Sequence, residues 1–221
     1  KYMSTELWKS IRNEISGLLM DEPEMASFFS KRILQHNSLP SAIADLLSAK
    51  LACPDMPQEI IRSVMNEAFM KDPDIIVAME NDLIAVRQRD PAVRYLSTAL
   101  LYFKGFQALQ SYRVAHWLWQ QDRTSLALYL QSLISQVFTV DIHPAARIGS
   151  GVLIDHATGI VIGETCILAD NISIMQGVTL GGTGKDSGDR HPKICSGVLI
   201  STGAIVLGNV TIGTGAKIAA G

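Results

Sequence analysis

The chain has 221 residues, of which 48% are hydrophobic and 18% charged, and its formal net charge is −2 at pH 7. This composition is typical of a folded globular protein, and the near-neutral charge argues against nucleic acid or a membrane surface as a partner. No apolar run approaches the roughly 18 residues of a membrane span, and three cysteines without paired spacing predict reduced thiols in a cytoplasmic protein.

The segment 3–139 predicts an all-helical domain. Apolar residues recur at three- and four-residue spacing, as in the stripe Leu7, Ile11 and Ile15. Pro- and Asp-containing breaks divide the segment into helices: DEPE (21–24), NSLPS (37–41), CPDMP (53–57), KDPD (71–74) and RDPA (89–92). The apolar stretch 107–138 predicts two more helices, separated near residues 120–125.

The segment 140–221 follows a different pattern, in which an aliphatic residue recurs every six positions. Three runs show this spacing: Ile142, Ile148, Ile154, Ile160; then Ile162, Leu168, Ile174, Leu180; then Ile194, Ile200, Val206, Ile212, Ile218. A period of six fits neither an α-helix nor a β-meander, and it is the signature of a parallel β-helix built from hexapeptide repeats. The whole chain is therefore predicted to be α+β, with helices first and a β-helix after them.

The two joins between these runs hold polar residues. Ile154 and Ile162 are eight residues apart, two more than one repeat, and the join contains DHATG (155–159). Leu180 and Ile194 are fourteen apart, which equals two repeats plus two residues, and this join contains GGTGKDSGDRHPK (181–193). Polar loops on a rigid scaffold are common sites of binding and catalysis, so both joins are candidate functional segments.

Three interpretations of these polar residues can be compared. The stretch LGGTGKD fails the phosphate-loop pattern, because Thr179 and Asp186 occupy positions that require Gly and Ser/Thr. His143, His156 and His191 could hold zinc, or they could simply cap turns. A histidine beside a carboxylate is also suited to acid–base catalysis on a substrate hydroxyl or amine, with direct attack on an activated acyl donor.

The motifs VDIHPAARIGSGVLIDHATGIVIGET, VTLGGTGKDSGDRHPKI and GNVTIGTGAKIAAG, with AVRQRDPAV in the helical part, resemble the serine O-acetyltransferase family. The resemblance covers essentially the whole chain. It implies a left-handed β-helix as the catalytic domain and a helical oligomerisation domain. It also implies transfer of acetyl from acetyl-CoA to the hydroxyl of L-serine in cysteine biosynthesis, without a metal. The active sites would lie between neighbouring prisms of a trimer, and two trimers would pair into a hexamer.

The resemblance also assigns roles to individual residues. His156 would be the general base on the serine hydroxyl, and Asp141 would orient it. Four residues would hold serine: Asp90, Asp155, Arg190 and His191. Five residues would contact CoA, Gly182 through a backbone N–H near the thioester sulfur and the others along the pantetheine groove: Gly182, Thr183, Ala204, Lys217 and Ala220. Glu164 would support the site, and His143 would be a turn residue.

The chain stops at Gly221 within a repeat, so its β-helix is expected to be truncated and to lack the family's C-terminal tail. That tail would dock into the partner enzyme O-acetylserine sulfhydrylase and assist feedback inhibition by L-cysteine. Other functions remain as alternatives: a hexapeptide acyltransferase with another acceptor, such as a sugar or an antibiotic, a zinc-dependent anhydrase, or an inert scaffold.

Overall fold

The computed structural model describes residues 2–185 and 187–221, and the chain begins with helices. These are α1 (Tyr2–Asp21), α2 (Ala26–Phe29), α3 (Leu39–Leu51), α4 (Gln58–Lys71), α5 (Asp74–Arg89), α6 (Leu96–Tyr102), α7 (Lys104–Gln120) and α8 (Thr124–Phe138). A 3₁₀ turn (Pro23–Met25) precedes α2 and a π-helical turn (Ser30–Leu34) follows it. None of the described helices combines the length and the apolar character needed to cross a membrane.

The predicted helix breaks are confirmed, and the one at residues 37–41 has a clear local cause. The Ser38 hydroxyl accepts a hydrogen bond from the Ser41 N–H at the start of α3, where Pro40 occupies the first turn. At the other end of the helical region, α8 stops where Thr139 adopts a left-handed conformation (φ 58°). The strands begin at the next residue, Val140.

Twelve short strands follow in the described part of the chain. They are β1 (Val140–Ile142), β2 (Arg147–Ile148), β3 (Leu153–Ile154), β4 (Ile160–Ile162), β5 (Ile167–Leu168), β6 (Ser173–Ile174), β7 (Thr179–Gly181), β8 (Lys193–Ile194), β9 (Leu199–Ile200), β10 (Ile205–Leu207), β11 (Thr211–Ile212) and β12 (Lys217–Ile218). All pairings are parallel, and they form three walls: wall 1 (β1-β4-β7-β10), wall 2 (β2-β5-β8-β11) and wall 3 (β3-β6-β9-β12). This is the arrangement of a left-handed parallel β-helix: the repeats predicted the parallel β-helix, and the family resemblance implied its left-handed sense.

The six-residue aliphatic spacing sets the core of this prism. In wall 1 the register places Ile142 on Ile162, Ile162 on Leu180 and Leu180 on Val206. The first three of these side chains are at most 3% exposed. Equivalent columns fill the inner faces of walls 2 and 3, so burial of stacked aliphatic side chains is the main stabilising contribution to the prism.

The first join behaves as predicted, but the length assigned to the second was wrong. Ile154 lies in wall 3 and Ile162 in the next wall, so the DHATG join adds two residues to one repeat. Leu180 lies in wall 1 and Ile194 in wall 2, which are consecutive walls. The fourteen-residue spacing is therefore one repeat with eight additional residues, because no strand of wall 2 or wall 3 lies among the described residues between the two positions.

The helical region is fastened to the first coil of the prism by Asp82 of α5, which is completely buried. Its Oδ2 accepts hydrogen bonds from Gln110 at 2.9 Å and from the Arg113 guanidinium at 2.7 and 3.0 Å, both on α7. Its Oδ1 accepts from the Val152 N–H at 2.9 Å. Arg113 also donates to the Gly149 carbonyl at 2.8 Å, so one buried ion pair links two helices to the first coil.

Candidate active site

Most of the predicted site residues lie at two corners of the prism, while Asp90 follows α5 and Asp141 and Lys217 lie in walls 1 and 3. The His156 corner, between wall 3 and wall 1, carries residues 155–159 in the first coil. The His191 corner, between wall 1 and wall 2, carries residues 143–146, 163–166 and 181–192. Within the described residues no hydrogen bond or ion pair joins the side chain of His156 to that of Arg190 or His191.

His156 sits on a strained turn. Both His156 (φ 57°) and Ala157 (φ 68°) have left-handed backbone conformations, and each costs about 1–3 kcal/mol in a residue other than glycine. The turn is closed by hydrogen bonds from the Ala157 N–H to the Asp155 carbonyl at 2.6 Å and from the Thr158 N–H to the His156 carbonyl at 2.9 Å. As a result the His156 side chain points outward, with 73% of its surface exposed.

A cleft of about 360 Å³ lies beside this turn, between the prism and the start of α7, and its lining includes Asp90, Lys104, Asp155 and His156. A second cleft of about 350 Å³ is also lined by Asp90 and Asp155. Asp90 is held in place by the Ala92 N–H, which donates to its Oδ1 at 2.8 Å. Two carboxylates between adjoining clefts are suited to binding an ammonium group.

The carboxylate nearest to His156 is the adjacent one, with His156 Nε2 3.7 Å from Asp155 Oδ2. Asp141 projects from the outer face of wall 1 and accepts a hydrogen bond from Gln131 Nε2 of α8 at 2.7 Å. No hydrogen bond or ion pair joins Asp141 to His156 among the described residues. The orienting role of Asp141 therefore stays a prediction.

At the His191 corner, Arg190 is engaged by a carboxylate. Its guanidinium donates to Glu164 Oε2 at 2.6 Å and to the Gly188 carbonyl at 3.0 Å. The hydrogen bond from Arg190 lowers the pKa of Glu164, so this carboxylate is ionised at neutral pH. A ligand carboxylate approaching Arg190 would meet a guanidinium whose donors already face Glu164.

The imidazole of His191 is buried and has a defined orientation. Its Nδ1 accepts from the Thr165 N–H at 3.2 Å and lies 2.8 Å from the Thr165 hydroxyl. Burial, followed by the positive charge of Arg190, lowers the pKa of His191, so the ring is neutral and carries its proton on Nε2. The ring rests against Gly163, where a Cβ atom would stand 2.1 Å from it.

The predicted CoA contacts are divided between the two corners and one wall. Gly182 and Thr183 follow β7 at the His191 corner, and Gly182 packs close to Arg190 and His191. The other three lie elsewhere: Ala204 and Ala220 near the His156 corner, and Lys217 in wall 3. Ala204 as a whole residue is only 1% exposed, so it presents almost no surface to a ligand.

The geometry separates the alternative assignments of the three histidines. His143 accepts a hydrogen bond from the Ala145 N–H at 3.0 Å, as expected of a turn residue. His156 stands at a different corner from His143 and His191, and no cluster of three or more potential metal ligands occurs in the ranges 2–185 and 187–221. Asp186, which figured in the phosphate-loop comparison, lies outside the described residues.

Comparison with known proteins identifies the family. A model described as serine acetyltransferase, N-terminal, matches residues 7–111. A serine acetyltransferase of Haemophilus influenzae is 55% identical over 218 residues, which cover 99% of this chain and 82% of the relative. The chain belongs to the serine acetyltransferase family. Two solved serine acetyltransferase structures share the fold: a cysteine complex (TM-score 0.96, 55% identity) and a CoA complex (TM-score 0.94, 53% identity), each covering 98% of this chain and 90% of the other.

Several residues that shape the candidate site are absent from the sequence-based predictions. Thr165 orients His191, Gly163 makes room for its ring, and Gln131 holds Asp141. None of them belongs to a motif with a chemical signature of its own. Gly163 could have been noticed, since a small residue that follows an aliphatic one in a hexapeptide marks a corner of the prism.

Proposed function

We propose that this protein transfers the acetyl group of acetyl-CoA to the hydroxyl of L-serine, giving O-acetyl-L-serine and CoA on the route to cysteine. Its membership of the serine acetyltransferase family and the CoA complex of a close relative support the reaction and the cosubstrate. The observation that carries the mechanism is an outward-facing imidazole, His156, on a strained turn beside a cleft lined by Asp90 and Asp155.

His156 acts as the general base. As the serine oxygen attacks the thioester carbonyl, the imidazole takes the hydroxyl proton, the carbon–sulfur bond breaks, and the proton returns to the departing thiolate to give free CoA. Asp141 orients the imidazole and stabilises its protonated form. The N–H of Gly182 lies near the thioester sulfur, and the pantetheine arm runs past Thr183, Ala204, Lys217 and Ala220.

Serine is held by charge complementarity at both ends. Asp90 and Asp155 bind its ammonium group, while Arg190 binds its carboxylate with help from the Nε2–H of His191. Because these two sets lie at different corners of one prism, the site is completed by the His156 corner of one copy and the His191 corner of the next.

A trimer of prisms supplies that arrangement, and the outer face of wall 1 suits the contact between copies. Val161, Ile205 and Leu207 project from it and are 39%, 66% and 50% exposed. Large apolar side chains at the surface in such a row mark an association surface. The helical region joins two trimers into a hexamer.

L-cysteine inhibits by occupying the serine site, since it carries the same ammonium and carboxylate groups. A relative has been solved in complex with cysteine. We place the reaction in the cytoplasm, where the free thiols of Cys53, Cys166 and Cys195 would stay reduced.

The test is thiol release from acetyl-CoA, followed with a chromogenic disulfide, in the presence of L-serine, homoserine or a hexose. We expect release with serine only, and His156→Ala should lower kcat by about 10²–10⁴-fold. His36→Gln, a change on the helical region away from both corners, is the matched control and should keep wild-type kcat. Release driven by a hexose, or a His156→Ala enzyme with normal turnover, would contradict the proposal.

A further inference from the structure

The first residue of α7 reaches across to the turn that carries His156. The ammonium of Lys104 donates hydrogen bonds to the hydroxyls of Thr139, at 3.0 Å, and Thr158, at 2.5 Å. We propose that Lys104 is a positioning residue for catalysis, which clamps the DHATG turn so that His156 is held in its productive orientation. This inference rests on the proposed role of His156 as the base.

The turn requires such a restraint because its backbone is strained on both sides of the clamp. Thr139 lies at a positive φ of 58°, as do His156 and Ala157 across from it, and the Gly159 N–H donates to the Thr139 carbonyl at 2.9 Å. Strained conformations of residues other than glycine persist only where their surroundings hold them. The Lys104 ammonium binds both Thr139, which precedes β1, and Thr158, which precedes β4. It therefore links the residue before the first strand of wall 1 to the turn before the second.

The position of Lys104 within its own helix supports a special role. A lysine at the N-terminus of a helix is electrostatically unfavourable, because the macrodipole places partial positive charge there, and α7 has no acidic residue in its first turn. A residue that is unfavourable for its local structure, as Lys104 is at this position, is expected where function requires it.

The neighbouring residue, Gly105, fixes the position of the start of α7 and therefore of the Lys104 side chain. Gly105 lies so close to the prism that a Cβ atom would stand 2.1 Å from the carbonyl oxygen of Ile154, the residue before Asp155. The start of α7 therefore rests directly on the strand that leads into the turn. Lys104 also lines the same cleft as Asp90 and His156, so its ammonium sits at the edge of the proposed serine site.

The clamp predicts a distinctive kinetic effect. Serine binding depends on Asp90, Asp155 and Arg190, whereas proton transfer depends on the placement of the imidazole. Among the described residues no hydrogen bond or ion pair joins Lys104 to any of those three. Loss of the clamp should therefore lower kcat by about 10- to 100-fold, as small misplacements of a catalytic group do, and leave the KM for serine unchanged.

The experiment is a double-mutant cycle on the purified oligomer. Lys104→Met keeps the aliphatic stem and removes the donors, and Thr158→Val removes the acceptor with little change in shape. We expect each to show the same loss in kcat and the double variant to be no worse than either. Lys104→Arg and Thr158→Ser, which keep the donor and the acceptor, should recover activity. Lys71→Met is the matched control, because Lys71 pairs with Glu67 on the surface of α4.

Hydrogen exchange gives a readout that does not depend on the identity of the substrate. The amides of residues 157 and 158 should exchange faster in Lys104→Met than in the wild type, and those of α4 should not. Wild-type kcat in Lys104→Met, a change confined to the KM for serine, or multiplicative losses in the double variant would overturn the proposal. If Lys104→Met fails to fold, Thr158→Val decides by the same criteria. An inactive wild type would count against the proposed function, whereas the exchange data would still test the clamp.

Discussion

Replacing Asp82 by Asn should destabilise the fold strongly, although the two side chains have the same shape. The amide would present an N–H₂ group either to the Val152 N–H or to Gln110 and Arg113, all of which are donors. It would also leave the Arg113 guanidinium, whose side chain is 7% exposed, without its counter-charge. Breaking one side of a buried ion pair costs about 3–5 kcal/mol.

For a chain of this length each kcal/mol lowers Tm by roughly 2–4 °C, so Asp82→Asn should melt about 6–20 °C below the wild type. Circular dichroism melts and urea titrations at fixed protein concentration would measure this. Glu67→Gln is the control, because its ion pair with Arg123 is solvent-exposed and should matter little. The apolar pair Asp82→Leu with Arg113→Met should recover much of the loss. An Asp82→Asn protein that melts with the wild type would refute the buried-pair reasoning.

Three further predictions concern binding, pH and packing. Arg190→Ala should chiefly raise the KM for serine in the thiol-release assay, because the guanidinium binds the carboxylate in ground and transition states alike; a loss in kcat alone would contradict this. Burial lowers the pKa of His116 from 6.5, so on acidification this imidazole is protonated in the unfolded chain before it is protonated in the folded protein. The free energy of unfolding should then fall as the pH drops below 6.5. Urea titrations of His116→Gln at several pH values should show a shallower fall. If the free energy of unfolding of the variant falls as steeply with pH as that of the wild type, the assignment to His116 is wrong. Gly105→Ala should lower both Tm and kcat, since its Cβ would collide with the Ile154 carbonyl; wild-type values would show that α7 can shift freely.

The β-helix could be predicted because its core obeys a strict period. Once Ile142, Ile162 and Leu180 are recognised as one column, the walls follow, since the aliphatic residue of each hexapeptide takes the same inward position. The second join was misread because a spacing of fourteen is compatible with two repeats plus two residues or with one repeat plus eight. Spacing alone does not say which wall the strand after a loop will enter.

The chemistry of the site could be predicted less fully than the fold. The motifs DHATG and GDRHP contain the candidate polar residues, but the sequence could not show that His156 and His191 occupy different corners of one prism. It also gave no sign that Glu164 would engage Arg190, or that Lys104 would reach Thr158 across 54 positions of the chain. The first contact joins two stacked coils of the prism and the second joins α7 to the prism, so neither leaves a local pattern in the sequence of its partners.

The two ends of helix α7 contact different corners of the prism. Lys104 touches the turn of His156, and near the other end the indole of Trp119 meets the ring of His143 edge-on, with centroids 5.1 Å apart. A helix of 17 residues is about 25 Å long, so the length of α7 sets the distance between its contacts with the two corners. One residue inserted within it would turn everything beyond by about 100° and advance it by about 1.5 Å. The number of residues between Lys104 and Trp119 is therefore under tighter constraint than the identity of most of them.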